Sequence, residues 1–328
     1  MSRYTVRHNI SGVGTRPDVV PEVDLSGGWL PQLWLGAPAP GGLALPPAQP
    51  SMSWMYSPRG VFLDEHHLVA ADSGNHRVLI WHGVPESDEQ PADVVLGQPD
   101  GESEGPAAGG RGPERGMNLP TGVLIHDGRR VLGWSGGIPE PQQPADVVLG
   151  QPDATEHSEN RGGDASAASF RWPHDVTGDA DLLLVADAGD HRLLGWSPHP
   201  DADRDADRVV GQPDFTSSQE WPYGPHTNDR MRFPYAARMD GDRLAVADTA
   251  NNRILLWDGV PDGPIGRGAD HVLAQPDFGS NGENRWVSVQ RDTLCWPYGI
   301  SLCGDSLAVA DSGNNRVMIW RNASCGRG

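Results

Sequence analysis

Lysine is absent from the sequence, so all 25 basic residues are arginine, and 44 acidic residues give a formal net charge of −19. Without lysine the protein cannot form a Schiff base through a lysine amine. The acidic excess opposes binding to nucleic acid, because that affinity depends on basic side chains that neutralise phosphates. We therefore expect a protein partner or a small molecule, and no nucleic acid.

Cysteine is also scarce, and no apolar run approaches the roughly 18 residues of a membrane span. The three cysteines, Cys295, Cys303 and Cys325, lie within the last 34 residues, which is not the pattern of a disulfide-framed secreted domain. We expect three unrelated reduced thiols rather than a thiol pair or two metal ligands. The first residues, MSRYTVRHNISG, lack the apolar core of a secretory signal. These absences predict a cytoplasmic protein without a membrane span.

Glycine (42 residues) and proline (30 residues) are abundant, which is typical of short strands separated by many turns. One stretch of about a dozen residues occurs four times with the same Asp and Arg. It reads VAADSGNHRVLIW at 69–81, VADAGDHRLLGW at 185–196, VADTANNRILLW at 246–257 and VADSGNNRVMIW at 309–320. Because a catalytic motif is needed only once, this repetition indicates architecture.

Two further elements recur in step with this stretch. A segment such as ADVVLGQPD (92–100) follows it, and a segment such as WPHDV (172–176) precedes it, which defines five units after residue 50. We predict four strands per unit, at 60–63, 68–72, 77–81 and 93–97 in the first. In the turn DSGNHR we expect the Asp and Asn side chains to bond nearby backbone and the Gly to take a positive φ.

A four-stranded antiparallel unit that recurs around a ring is a blade of a β-propeller. The pattern L-x-V-A-D-x-x-N-x-R-[IV]-x-x-W, most complete around GNHRVL (74–79), resembles the NHL-repeat family across residues 58–323. The resemblance implies an all-β propeller. It implies little about function, since NHL propellers include binding scaffolds and lyases.

The last unit ends after its third strand, and PQLWLGAPAP (31–40) resembles the missing fourth strand. We predict that residues 33–36 complete the last of five blades; a sixth blade built from residues 1–50 is the alternative. The predicted organisation is an N-terminal extension (1–30), one propeller (31–323) and a C-terminal tail (324–328). The second unit lacks about ten residues before Trp134, essentially its second strand and turn, through a true deletion or a defect in the sequence.

The repeated aspartates, Asp72, Asp187, Asp248 and Asp311, could form a ring around a cation. We favour a structural role, in which each carboxylate caps its turn and pairs with the Arg five residues later. The tryptophans that close the repeats are expected to pack between blades. We therefore predict no metal site and no cofactor.

Positions that differ between units are better candidates for function. In this topology the loop before the first strand and the turn between the second and third strands share one face, the top face, and the first strand lines a central channel. The residue after each unit's Pro then lies at the channel mouth. These residues are Arg59, Thr121, His174, Tyr235 and Tyr298. Aromatic walls with a few polar groups are typical of a ligand site; a solvated rim without a ligand is the alternative.

Two long loops of the top face, at 214–233 and 278–296, carry extra aromatic residues. These are Trp221, Tyr223, His226 and Trp286. Aromatic residues are enriched among interface anchors, although packing against the propeller itself would also explain them. We predict a non-catalytic binding or scaffolding module. The alternative is a lyase or hydrolase, metal-dependent or not, at the same mouth, but the sequence contains no H-E-x-x-H metal motif.

Overall fold

The computed structural model describes residues 24–36, 49–110, 117, 120, 131–133, 145–153 and 155–323. In these residues the regular structure is almost entirely β-strand, arranged as four-stranded antiparallel sheets and one two-stranded sheet. Each four-stranded sheet corresponds to one unit of the repeat, so the all-β prediction is confirmed. No helix in the described ranges is long and apolar enough to cross a membrane.

The strands follow the order expected from the repeat. The first to appear are β1 (Trp29–Gly36), β2 (Gly60–Leu63), β3 (His67–Asp72), β4 (Arg77–His82) and β5 (Val94–Leu96). The second unit contributes β6 (Val131–Gly133) and β7 (Val147–Leu149). The third contains β8 (Pro173–Gly178), β9 (Leu183–Asp187), β10 (Arg192–Trp196) and β11 (Arg208–Val210). The fourth contains β12 (Pro234–Asp240), β13 (Arg243–Asp248), β14 (Arg253–Trp257) and β15 (His271–Leu273). The last contains β16 (Pro297–Cys303), β17 (Ser306–Asp311) and β18 (Arg316–Asn322).

Helical segments are short and lie in the loops and turns. One short helix, α1, spans Pro106–Gly110. Single 3-10 turns lie at Ser73–Asn75, Glu159–Gly162, Ala188–Asp190, Thr249–Asn251, Glu283–Trp286 and Ser312–Asn314. Four of these six occupy the repeated turn between the second and third strands of a unit.

The first and last strands of the described chain pair with each other. β1 runs antiparallel to β18, from Trp29 opposite Asn322 to Gly36 opposite Arg316. The predicted pairing of residues 33–36 with the last unit is confirmed, although the strand begins earlier, at Trp29. The closed ring and its number of blades stay predictions. The expected loss of a strand in the second unit concerns residues that are mostly outside the described part.

The first strands of the sheets lie side by side, in the order β8, β12, β16 and β2. They are joined by side chains rather than by a backbone ladder. The Leu63 amide donates to Ser301 Oγ at 2.9 Å, and the Met239 amide donates to Thr177 Oγ1 at 3.0 Å. This propeller-like arrangement places the starts of these four first strands around one opening.

The core lies between neighbouring sheets. Trp81, Trp196, Trp257 and Trp320 are each at most 1% exposed and pack against the preceding sheet. The Trp81 Nε1–H donates to the Gln90 carbonyl at 3.0 Å, so its one polar atom is satisfied. The predicted packing of these four tryptophans is confirmed; Trp134 lies outside the described residues.

The repeated Asp and Arg form a buried ion pair in each four-stranded sheet. The Nε–Oδ2 distances are 2.7 Å for Arg77–Asp72, 2.9 Å for Arg192–Asp187, 2.7 Å for Arg253–Asp248 and 2.7 Å for Arg316–Asp311. Each aspartate also accepts a backbone N–H from the loop before its first strand, as Asp72 does from Tyr56 at 2.7 Å. Each arginine donates to loop carbonyls. The pairs therefore hold the loops in place, and the predicted pairing of Asp with Arg is confirmed. The predicted capping is wrong, because none of these four carboxylates bonds the backbone of its own turn. Asn75 likewise donates to the Asp72 side chain and not to backbone.

The expected role of the turn glycine is wrong. The left-handed residue is two positions later, with φ values of 57° at His76, 59° at His191, 53° at Asn252 and 56° at Asn315. Gly74 is needed for close approach instead, because its amide donates to the Tyr56 carbonyl at 2.8 Å. A Cβ at Gly74 would lie 2.6 Å from that oxygen.

Candidate functional site

Four predicted mouth residues lie together at the start of the first strands. The rings of His174 and Tyr235 stack at 4.2 Å with an interplanar angle of 18°, and those of Tyr235 and Tyr298 lie 4.7 Å apart. The Arg59 guanidinium carbon is 5.4 Å from the Tyr298 ring centroid. The fifth predicted residue, Thr121, lies outside the described residues. The proximity of the four is a finding, whereas their role in binding stays a prediction.

These residues line a cavity of about 610 Å³. Its lining also includes a buried acid and a second arginine, Asp175 and Arg238, which contact each other directly. Asp175 accepts the Ala237 N–H at 3.1 Å and the Val176 N–H at 2.9 Å. Burial raises the pKa of Asp175, and the Arg238 charge opposes that shift. The pair therefore supplies a largely neutralised polar patch inside the cavity.

Sequence reasoning missed Asp175 and Arg238, although both break the repeat. Asp175 stands where other units have Gly or Ala, and Arg238 stands where they have Phe62, Leu124, Thr177 or Ser301. A register shift between Pro173 and Asp175 lets the aspartate line the cavity next to His174. Comparing every position of the first strand between units would have found both residues.

The phenol of Tyr235 stays protonated at neutral pH. Burial raises its pKa, the neighbouring Tyr298 raises it further, and Arg59 opposes the change. A protonated phenol can donate or accept a hydrogen bond. Tyr235 therefore presents a neutral phenol beside the permanent cation of Arg59.

An aromatic collar precedes the mouth residues and was also missed. Trp172, Phe233 and Trp296, each just before the unit's Pro, have left-handed φ values of 60°, 51° and 51°. Such angles are strained for bulky residues. The Phe233 amide is held by His191 Nδ1 at 3.2 Å, and the Trp296 amide by Asn252 Oδ1 at 2.9 Å. In the sequence, an aromatic residue directly before the Pro of three units marks the collar.

A second cavity, of about 600 Å³, lies between the third and fourth units. His191 and Glu220 meet in its wall, with Nε2 and Oε2 3.1 Å apart. Burial, together with Arg171 and Arg232, lowers the pKa of His191 to about 4. Since Nδ1 accepts the Phe233 amide, the neutral ring carries its proton on Nε2, the atom that faces Glu220.

The predicted loop residues differ in exposure. Tyr223 is 83% exposed, Trp286 76% and Trp221 51%. His226 is half-buried; its ring stacks on Trp221 at 6.1 Å, and its Nε2 accepts from Asn281 Nδ2 at 3.0 Å. Burial lowers the pKa of His226, which agrees with a neutral acceptor. Three of the four residues can contact a partner, and His226 supports the loop.

The two described cysteines, Cys295 and Cys303, are free. Burial raises the pKa of Cys295 to about 12, and it raises the pKa of Cys303 as well. Neither thiol is therefore activated as a thiolate. Cys325 lies outside the described residues. Among the residues that the structure describes, no three His, Cys, Asp or Glu side chains are grouped as metal ligands.

Neither a protein-family model nor a curated protein matches the chain. Among solved structures it is similar to the glutaminyl cyclase of Myxococcus xanthus, with 10% identity and a TM-score of 0.37 over 88% of this chain and 96% of that one. It is also similar to the PQQ-bound aldose sugar dehydrogenase of Streptomyces coelicolor, with 12% identity and a TM-score of 0.38 over 84% and 96%. Such low values assign no activity to this chain.

Proposed function

We propose that this protein is a non-catalytic binding module that engages a protein partner through its top face. The observation that carries the proposal is the exposure of Trp221, Tyr223 and Trp286 on the loops of that face, between 51% and 83%. Apolar surface left in water is unfavourable, and large aromatic side chains are typical anchors of interfaces.

The position of these loops supports the proposal. Tyr223 shares a cavity with Trp172 and Phe233, and the Phe233 ring lies 6.4 Å from that of Tyr235 at the mouth. Glu283, in the same turn as Trp286, accepts from Trp296 Nε1 at 3.0 Å. Loops and mouth thus form one surface, which a single partner can cover.

Capture from the native host tests the proposal. We expect the protein to retain a specific partner that Trp221→Ala and Trp286→Ala each fail to retain. Ile265→Ala is the matched control, because Ile265 is 46% exposed on a loop between third and fourth strands, which lies at the opposite face. Retention by both tryptophan variants would contradict the proposed surface, and RNA binding near physiological salt would contradict the argument from charge.

We also propose that the ring has five NHL-type blades and is closed by β1, in a cytoplasmic protein. The pairing of β1 with β18 and the contacts between successive first strands support closure. Deletion of residues 1–36 should abolish soluble, cooperative folding, because it exposes the unpaired edge of β18. A truncated protein that melts like the full chain would contradict closure by β1.

A further inference from the structure

The channel-mouth cavity contains two arginines, of which one is neutralised within the described part of the chain. Arg238 contacts the Asp175 carboxylate. Arg59 contacts the ring of Tyr298, and its Nε is buried without a hydrogen-bond partner among the described residues. A guanidinium carries five N–H donors and remains charged at any relevant pH. Arg59 is therefore available to bind an anion from outside the protein.

The charge of the lining indicates how much negative charge the cavity can take. With Asp175 ionised, the state that its contact with Arg238 favours, the lining carries +2 from Arg59 and Arg238 and −1 from Asp175, which leaves +1. The whole protein carries −19. A monoanion therefore matches the cavity better than a phosphate monoester, which carries up to two negative charges at neutral pH.

The shape of the cavity indicates the rest of the ligand. His174, Tyr235 and Tyr298 form a row of rings at 4.2 and 4.7 Å, and all three line the cavity, so that an aromatic ligand can pack against the row. Val61 and Phe62 add apolar lining. The volume of about 610 Å³ lies within the range of small-molecule sites.

We propose that this cavity binds the carboxylate of a small aromatic acid, with Arg59 as the anion-binding side chain. The planar fork of a guanidinium matches both oxygens of a carboxylate. The aromatic body lies along the row of rings, where Tyr235 and Tyr298 add phenolic hydrogen-bonding groups. The inference deepens the proposed function, since it rests on the mouth being part of the working surface.

Titration calorimetry with 2-naphthoate and its neutral amide, 2-naphthamide, tests the proposal on the full-length protein. The two probes share one aromatic body and differ in charge. We expect naphthoate to bind at least about tenfold more tightly, because only the carboxylate makes charge-assisted bonds with Arg59. Arg59→Gln should remove this preference, while Tyr298→Ala should weaken both probes together.

Arg291→Gln is the matched control. Arg291 also lies over an aromatic ring, 4.0 Å from the centroid of Trp34, and its loss changes the net charge equally, but it is not in the cavity. This variant should keep the preference for naphthoate, and circular dichroism establishes that every variant folds.

Several outcomes would overturn the proposal. They are equal binding of acid and amide, an unchanged preference in Arg59→Gln, tighter binding of naphthyl phosphate than of naphthoate, and no binding of naphthoate at about 10 mM, above the range of useful fragment affinities. Trp221→Ala separates this proposal from the previous one. It should abolish partner capture and keep the preference for naphthoate, so either proposal can fail alone.

Discussion

The turns of the third and fourth units occupy equivalent places in neighbouring sheets, yet their chemistry differs. The third unit has Ala188, Asp190 and His191 where the fourth has Thr249, Asn251 and Asn252. Both turns are single 3-10 turns, and the residue that follows each of them, His191 or Asn252, has a left-handed backbone conformation. One backbone conformation therefore accepts either neutral amide side chains or ionisable ones. The two turns differ in the protonation of their side chains and not in backbone geometry.

The substitution of Asp190 for asparagine has a direct consequence for protonation. In the fourth unit Asn251 Nδ2 donates to Asp248 Oδ2 at 2.9 Å. Asp190 has no N–H and can make the equivalent bond to Asp187 only if a carboxyl group carries a proton. Both carboxyls are at most 1% exposed, and they share the single cation of Arg192. The third turn can therefore match the fourth only if this pair of carboxyls holds a proton.

Burial favours this proton. It raises the pKa of Asp187 to about 8, the neighbouring Asp190 adds to that shift, and Arg192 opposes it. The pKa of Asp190 is also raised, chiefly by burial, while Arg192, Asn160 and Arg171 favour its charged form. The two groups titrate as a pair, which we expect to hold one proton at neutral pH.

The largest effect should come from breaking the fourth unit's ion pair. Arg253→Met leaves the Asp248 carboxylate buried without a cation, and it should lower the free energy of unfolding by about 3–5 kcal/mol. Urea unfolding at pH 7 measures this. Arg243→Met, which breaks the partly exposed pair with Asp240, should cost less than about 1 kcal/mol. Similar costs for the two variants would contradict the distinction between core and surface pairs.

The next effect separates the third turn from the fourth by pH. A carboxyl whose pKa is raised on folding adds to the free energy of unfolding. That contribution is full below the unfolded-state pKa of 3.8 and is lost as the pH rises toward the folded-state pKa of about 8. Asp190→Asn removes this dependence, so its stability relative to wild type should rise by up to about 1.4 kcal/mol per pH unit between pH 5 and 8.

The reverse exchange is the control for that experiment. Asn251→Asp places a second carboxyl beside Asp248 in the fourth turn, and the variant should lose stability relative to wild type as the pH rises. Urea midpoints at several pH values measure both variants. Parallel pH curves for wild type and Asp190→Asn would show that the pair holds no extra proton.

The sequence predicts the repeated parts of the molecule well, because each unit independently predicts the same strands and the same turn. The strands β2 to β5 lie within two residues of their predicted bounds. The pairing of β1 with the last unit was also predictable, since one strand was missing there. The gathering of Arg59 and Tyr298 at one opening follows from the same repetition.

The parts that sequence reasoning missed depend on tertiary contacts. Asp175 lines the cavity through a register shift, which strand alternation does not predict. Phe233 and Trp296 take left-handed angles where the preceding unit holds their amides. The positive φ lies after the turn glycine, where a capping side chain, rather than a missing Cβ, decides the residue. In each case the deciding interaction joins residues that are distant in the chain.

A smaller effect should follow from changing the residue that holds the collar. His191→Leu leaves the Phe233 amide without its acceptor and should cost about 1–3 kcal/mol at pH 7. His191→Asn copies Asn252 of the fourth unit and should cost less than about 1 kcal/mol, since an amide oxygen replaces Nδ1. Urea unfolding of both variants measures the difference. Equal costs would show that packing, and not the hydrogen bond, is what His191 provides.

The pH dependence of His191 has the opposite sign to that of the carboxyl pair. Its pKa falls from 6.5 to about 4 on folding. The contribution of His191 to the free energy of unfolding is therefore full above pH 6.5 and is lost as the pH falls toward 4. His191→Asn should therefore gain stability relative to wild type below pH 6.5. A constant difference between pH 7 and pH 4.5 would contradict the lowered pKa.

The smallest effect is expected at the mouth, where the third unit has His174 and the fourth has Tyr235. Both rings are only partly buried and contact each other over the cavity rather than the core. His174→Ala should therefore cost less than about 1 kcal/mol, near the value of one aromatic contact, and far less than Arg253→Met. Urea unfolding at pH 7 measures the cost, and Trp196→Ala in the same unit is the control that should cost about 3–5 kcal/mol. If His174→Ala were as damaging as Trp196→Ala, the row of rings would be part of the core. A small cost would agree with side chains that line the cavity and contribute little to the core.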